Sequence, residues 1–192
     1  MVRSSAACSV STWCKARHAR PGTPTSTRHE HRRAAPKGEW FRSPQGGGTP
    51  VSTAGPVVLD TNIVLDLLVF HDPATLALAD ALASGALAWH ATVAMREELQ
   101  RVLAYPALQA WLGKSGANGA EQVLARFDSL SRVHVEVAGG AARCRDPDDQ
   151  KFIDLALHLK ALLLSKDRQV LRLRRALAER SVTVTTVFSS AA

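Results

Sequence analysis

The side chains with the most chemistry to offer are acids, and they recur at comparable places along the chain. Asp60 closes the run Pro56-Val57-Val58-Leu59, and Asp167 follows Ala161 to Leu164 after Ser165 and Lys166. Both runs are short and apolar, as buried parallel strands are, so each is expected to deliver a carboxylate to the carboxyl edge of a sheet. Glu97 and Glu98 follow Thr92, which can cap a helix carrying Met95, Leu99, Val102 and Leu103 on one face. Asp146-Pro147-Asp148-Asp149 opens another helix, with Phe152, Ile153, Leu155, Ala156 and Leu159 as its apolar face. In a parallel α/β layer, strand ends and the starts of the following helices share one rim, where open sheets bind ligands. Grouped carboxylates repel and raise one another's pKa unless a hard cation is present, and such oxygen sites suit Mg²⁺, with Mn²⁺ as the alternative. Hydrolysis of a phosphodiester by an ion-activated water is the chemistry that this set supports.

Every one of these acids also has an ordinary structural use. Asp146, Pro147 and Asp149 fit the N-cap, N1 and N3 positions, where Asp149 would only favour the helix start, by about 0.3 to 1 kcal/mol. Glu97 reads as a solvated helix acid, and Asp167 can cap its own helix. The coincidence of four acids on one rim is what favours chemistry over capping.

The elements that must position them follow from periodicity and punctuation. After the first strand, Asn62 can cap a helix with Ile63, Leu67 and Phe70 near i, i+4 and i+7. Asp72-Pro73 starts a second helix that Gly85 ends, and Ala86 to Ala91 is a short buried strand. Tyr105-Pro106 breaks the Glu98 helix. Helical stretches at about 107–112 and 119–130 precede a half-buried strand over 132–137, where valines alternate with charged residues and His. A basic helix over 168–180 and a strand over 182–188 finish the chain. This alternation predicts an α/β fold with a parallel sheet covered on both faces.

The charge is one-sided. Nine Lys and Arg against two Glu lie before residue 56 and fifteen of each sign follow, so the whole formal charge of +7 belongs to the first 55 residues. That segment is rich in Arg, Ser, Thr, Pro and Gly and poor in aliphatic residues, so 1–55 is expected to be a disordered extension without function and 56–188 the folded domain. The extension's composition is compatible with an organellar transit peptide, and an artefactual early start codon fits at least as well. No run approaches the roughly 18 apolar residues of a membrane span. Cys8, Cys14 and Cys144 are too scattered for a disulfide framework, which makes cytoplasm the default location. His71, His90, His134 and His158 have no zinc-like spacing and are expected at surfaces or edges. Trp89, Trp111 and Phe127 read as packing residues.

Four stretches together resemble the PIN domain family, in its branch of toxins from toxin–antitoxin pairs. They are Leu59-Asp60-Thr61-Asn62, Glu98 to Leu103, Cys144 to Asp149 through Ala156, and Leu164-Ser165-Lys166-Asp167, within roughly residues 56–187. The resemblance implies a three-layer α/β/α fold with a central parallel sheet of about five strands. It also implies catalytic, metal-binding acids at Asp60, Glu98, Asp149 and Asp167, with Asn62 and Ser165 as polar helpers. Asp148 competes with Asp149, which is preferred because its 18-residue distance to Asp167 matches the family pattern. Ser165 stands where the family commonly has threonine. Gln169 stands where it often has a further aspartate, which leaves a second ion open. The activity implied is Mg²⁺-dependent endoribonuclease cleavage of RNA, restrained by a small antitoxin protein, with a homodimer compatible. Arg168 and Arg172, directly after Asp167, are candidates to hold RNA phosphates. A haloacid-dehalogenase-type phosphatase would want an aspartate at Asn62 and ranks low, and an inactive binding module is disfavoured by the complete acid set.

Overall fold

In the computed structural model, residues 55–115, 119–137, 139 and 142–189 are described, so the expectations for residues 1–54 fall outside them. Five parallel strands form one sheet: β1 (Gly55–Leu59), β2 (Leu87–Thr92), β3 (Ser131–His134), β4 (Leu162–Leu164) and β5 (Val184–Thr185), in the order β3-β2-β1-β4-β5. Helices flank the sheet, giving the α/β/α layering expected from the alternation of elements. β1 is central and wholly apolar; Val57, Val58 and Leu59 are buried on both faces, as a strand covered by helices requires.

The chain runs outward from β1 through β2 to β3, then returns to β1's other side as β4. Strand order therefore reverses at the β1–β4 pair, and the crevice outside the carboxyl ends of such a pair is where open α/β sheets take ligands. The Asp60 amide donates to the Leu164 carbonyl at 2.9 Å, fastening the two strand ends side by side.

Beyond β1, α1 (Thr61–Leu65) opens into a π-helical turn, Asp66–Phe70. Asn62 does not cap α1. Asp60 holds the N-cap position, because its own carbonyl accepts the first helical bond, from the Val64 amide at 3.0 Å. The expected single apolar stripe is also too narrow a description. Every residue from Ile63 to Val69 is buried, Asp66 included, and Asp66 is held by Lys166, whose Nζ donates to Oδ2 at 2.5 Å.

Asp72 caps a short 3₁₀ turn, Pro73–Thr75, and α2 (Leu76–Ala83) follows, closed by Gly85 at φ +75° as its position predicts. α3 (Val93–Leu103) is capped by Thr92, whose Oγ1 accepts from the Met95 amide. α4 (Pro106–Ser115) begins on the proline that ends α3 and runs longer than expected, while α5 (Ala120–Leu130) keeps its expected bounds within a residue. Trp89 of β2 meets Phe127 of α5 edge-on at 4.8 Å, and Phe70 meets Trp111 at 4.9 Å, so these aromatics pack the interior as expected.

β3 stops at His134 instead of continuing to residue 137, and Val133 and Val135 are exposed. Alternation there did not mark a buried face, because β3 is the sheet's edge and Val133 and Val135 stay exposed among the described residues. α6 (Gln150–Leu159) follows a 3₁₀ turn, Pro147–Asp149, and crosses β1, β2 and β4. The expected basic helix is two short ones, α7 (Arg168–Arg172) and α8 (Arg174–Ala178), and the last strand is the two-residue β5. No single helix among the described residues is long and apolar enough to cross a membrane.

Removing Lys166 would take an ammonium away from a fully buried carboxylate. Lys166→Met should lower unfolding free energy by about 3 kcal/mol, at the low end for a broken buried pair because the lysine is partly exposed. Urea denaturation checks this; a change below about 1 kcal/mol would mean that Asp66 depends little on the pair.

Candidate functional site

The crevice at the carboxyl ends of β1 and β4 is lined by acids. Asp60 is only 3% exposed, and the buried Ser165 Oγ donates to its Oδ2 at 2.8 Å while accepting from the Asp167 amide at 3.0 Å. One hydroxyl thereby ties the β1 carboxylate to the turn that carries Asp167. Asp167 spends Oδ1 on the Gln169 amide at 2.6 Å, so it does cap α7 as its ordinary reading holds, yet it also faces the other acids.

Glu98 enters from α3 and is buried. Its Oε1 accepts from Thr61 Oγ1 at 2.9 Å, so the residue next to Asp60 orients it. Its Oε2 is buried and accepts no hydrogen bond; it meets the Lys151 ammonium as an ion pair. Neighbouring Glu97 is exposed, as its solvated reading predicts.

Asp149 comes last, at the end of the 3₁₀ turn. Asp146 caps that turn by accepting from the Asp148 amide at 3.0 Å, with Pro147 at N1. Gln150 pins the preceding loop: its Nε2 donates to the Ala142 carbonyl at 2.8 Å and its Oε1 accepts from the Cys144 amide at 2.7 Å.

Electrostatics shows that these carboxylates act on one another. Burial, then the charges of Asp60, Asp167, Asp146 and Glu98, pushes the Asp149 carboxyl up to about 8. Asp60 is pushed up to about 6, first by burial, although the Ser165 hydroxyl favours its charged form; Glu98 and Asp167 raise it further. Asp60, Glu98, Asp149 and Asp167, named from the sequence, therefore lie within reach of one another's charge on a single rim.

A profile of the PIN domain matches residues 56–169, more than half of the chain. The chain belongs to the PIN domain family. PIN domains are typically nucleases and generally use divalent metal ions. The chain is also similar to Uncharacterized protein MJ1680 of Methanocaldococcus jannaschii, 27% identical over 118 residues that cover 62% of this chain and 74% of that protein.

The donor set of this PIN domain fits a hard cation. Its acids are oxygen ligands, and Asp60 and Asp149 carry pKa values raised first by burial and then by the neighbouring acids. As the side chains stand, no three His, Cys, Asp or Glu groups among the described residues close on a common ion position. The described histidines offer no alternative. His90 Nδ1 and His134 Nε2 pair at 2.7 Å across β2 and the edge strand, burial and the nearby His134 and Arg132 push His90 down, and His71 and His158 are exposed.

Two lysines escaped the sequence reading. Lys151 lies in the first turn of α6, where the helix dipole disfavours a cation; that misplacement is the signal of an acidic partner. Lys166 partners Asp66, the one charge in the apolar run 63–70, which signals a buried pair in the same way.

The raised Asp149 pKa has a sign. The folded state holds its proton more tightly than the unfolded chain, so this contribution to stability is complete below pH 3.8 and is lost as pH rises through about 8. In chelator, the thermal midpoint of the wild type should fall from pH 5 to pH 9, and Asp149→Asn should flatten that slope and be the more stable protein at pH 9. Parallel pH profiles for the two proteins would contradict the coupling.

Proposed function

We propose that this chain is a divalent-metal-dependent endoribonuclease acting on RNA phosphodiesters, and the toxin of a toxin–antitoxin pair. The observation that carries the nuclease reading is the convergence of Asp60, Glu98, Asp149 and Asp167 at the sheet's switch point, with Asp60 and Asp149 destabilised as anions in the metal-free protein. The toxin role is supported by the likeness of its four motifs to that branch. It implies a small antitoxin protein that occludes the rim, and an adjacent short reading frame encoding such a partner is the cheapest discriminator.

Asp60, Asp149 and Asp167 would hold Mg²⁺, or Mn²⁺ in its place. A bound ion would lower the pKa of its water and neutralise charge developing on the phosphate. Ser165 keeps Asp60 aimed outward from the β1 end, and Thr61 holds Glu98 where its carboxylate can orient the attacking water and take its proton. Asn62 and Asp148 flank this set as supporting residues. Arg168 and Arg172 are exposed on α7 directly after Asp167, suited to phosphates entering the rim, although Arg172 also donates to Gln169 Oε1 at 3.2 Å. An open hollow of about 550 Å³ along α3 is lined by Ala94, Glu97, Gln100, Arg101, Ala104 and Lys151.

Purified chain should cleave unstructured RNA with Mg²⁺ or Mn²⁺ and stop in EDTA. Asp60→Asn and Asp149→Asn should each lose at least about two orders of magnitude in rate, while Asp60→Asn folds at least as stably as wild type without metal. Cleavage that survives chelation, or that is unchanged in both variants, rules out this site. Charge reversal at Arg168 and Arg172 should weaken RNA binding and reduce its salt dependence; an unchanged salt slope would remove the phosphate role.

A further inference from the structure

Lys151 reaches the acid rim from α6 with its charge engaged by protein groups. Its ammonium lies against Glu98 Oε2, donates to the Asp148 carbonyl and sits 4.9 Å from the Phe152 ring centroid. The two charged side chains are 20% and 12% exposed, so the pair is held largely out of water. Thr61 engages Glu98's other oxygen, so both oxygens of that carboxylate already face protein groups. At the opposite end of the rim, Gln169 presents an amide rather than a carboxylate; its Oε1 accepts from Arg172 and its backbone amide caps onto Asp167.

Nucleases that use two divalent ions hold them about 3.5 to 4 Å apart, and each ion needs carboxylate oxygens of its own. Beyond Asp60, Asp149 and Asp167, Asp146 caps its turn through Oδ1, and Glu98 is already balanced by an ammonium fixed by the fold. We infer that Lys151 is a built-in cation that takes the place of a second divalent ion, so that the rim binds one ion and Glu98 stays outside its ligand set. This rests on the reading of the rim as an ion site, and it narrows that reading to a one-ion nuclease. Lys151 is in this sense a positioning residue: it holds Glu98 through Oε2 without any metal contact of its own.

The test uses the full chain with Mn²⁺ alone as the probe, counting bound ions by calorimetry and by the paramagnetic resonance signal of free Mn²⁺. Wild type should bind one Mn²⁺ per chain, and Lys151→Arg, which keeps the charge, should also bind one. Lys151→Met and Lys151→Gln should each admit a second Mn²⁺, which Glu98→Gln should remove again in the double variants. Two ions in wild type, or a single ion in both neutral variants with unchanged circular dichroism, would overturn the inference while leaving the ion site intact. No bound Mn²⁺ in wild type would overturn the ion site itself. The wild-type count needs no variant to fold.

Discussion

Keeping buried carboxylates close together is the constraint around which this molecule is built. Burial first, and then the neighbouring acids, raise the carboxyls of Asp60 and Asp149, so the charged forms are disfavoured where the fold holds them. The fold holds them from below. The Asp60 amide is bonded to Leu164, the Ser165 hydroxyl links Asp60 to the Asp167 turn, and a capped 3₁₀ turn sets Asp149 in place. The first two restraints join the β1 end to the stretch after β4 and the third comes from the turn before α6, so the acids can approach one another only after the β1–β4 pair and α6 have docked.

Counter-charge is supplied sparingly. Lys166 serves the buried Asp66 beneath the crevice and Lys151 serves Glu98 beside it. Neither lysine appears among the leading influences on Asp60 or Asp149, whose carboxyls are governed by burial and by other acids. That unevenness favours the ion-site reading proposed above. A rim meant only for stability would pair every buried acid, whereas one meant for a divalent ion leaves its ligands under-compensated until the ion arrives.

The sequence made the centre of the fold legible because β1 and β4 are apolar runs ended by Asp60 and by Ser165-Lys166-Asp167, a pattern that depends only on local order. The four acids were legible for the same reason, since strand ends and helix starts share a rim in any parallel α/β layer. The edges were harder to read. Val133 and Val135 alternate as a half-buried strand would, but β3 is the sheet's edge and both valines are exposed. Residues 63–69 are buried all round, so the spacing of Ile63, Leu67 and Phe70 described only part of their surroundings and gave no warning of the π turn. Lys151 and Lys166 were missed because an ion pair joins residues far apart in sequence, and only a charge in an unfavourable local setting hints at it.

The central claim is that the acids of this PIN domain form one ion site that includes Asp60. Its most direct test is the thermal midpoint at pH 8 as Mn²⁺ is titrated into chelator-treated wild type and Asp60→Asn. The account predicts a saturable rise for wild type and little or none for Asp60→Asn, because an ion that binds only the folded site stabilises it by mass action. Equal rises in the two proteins would place the ion elsewhere and contradict the account.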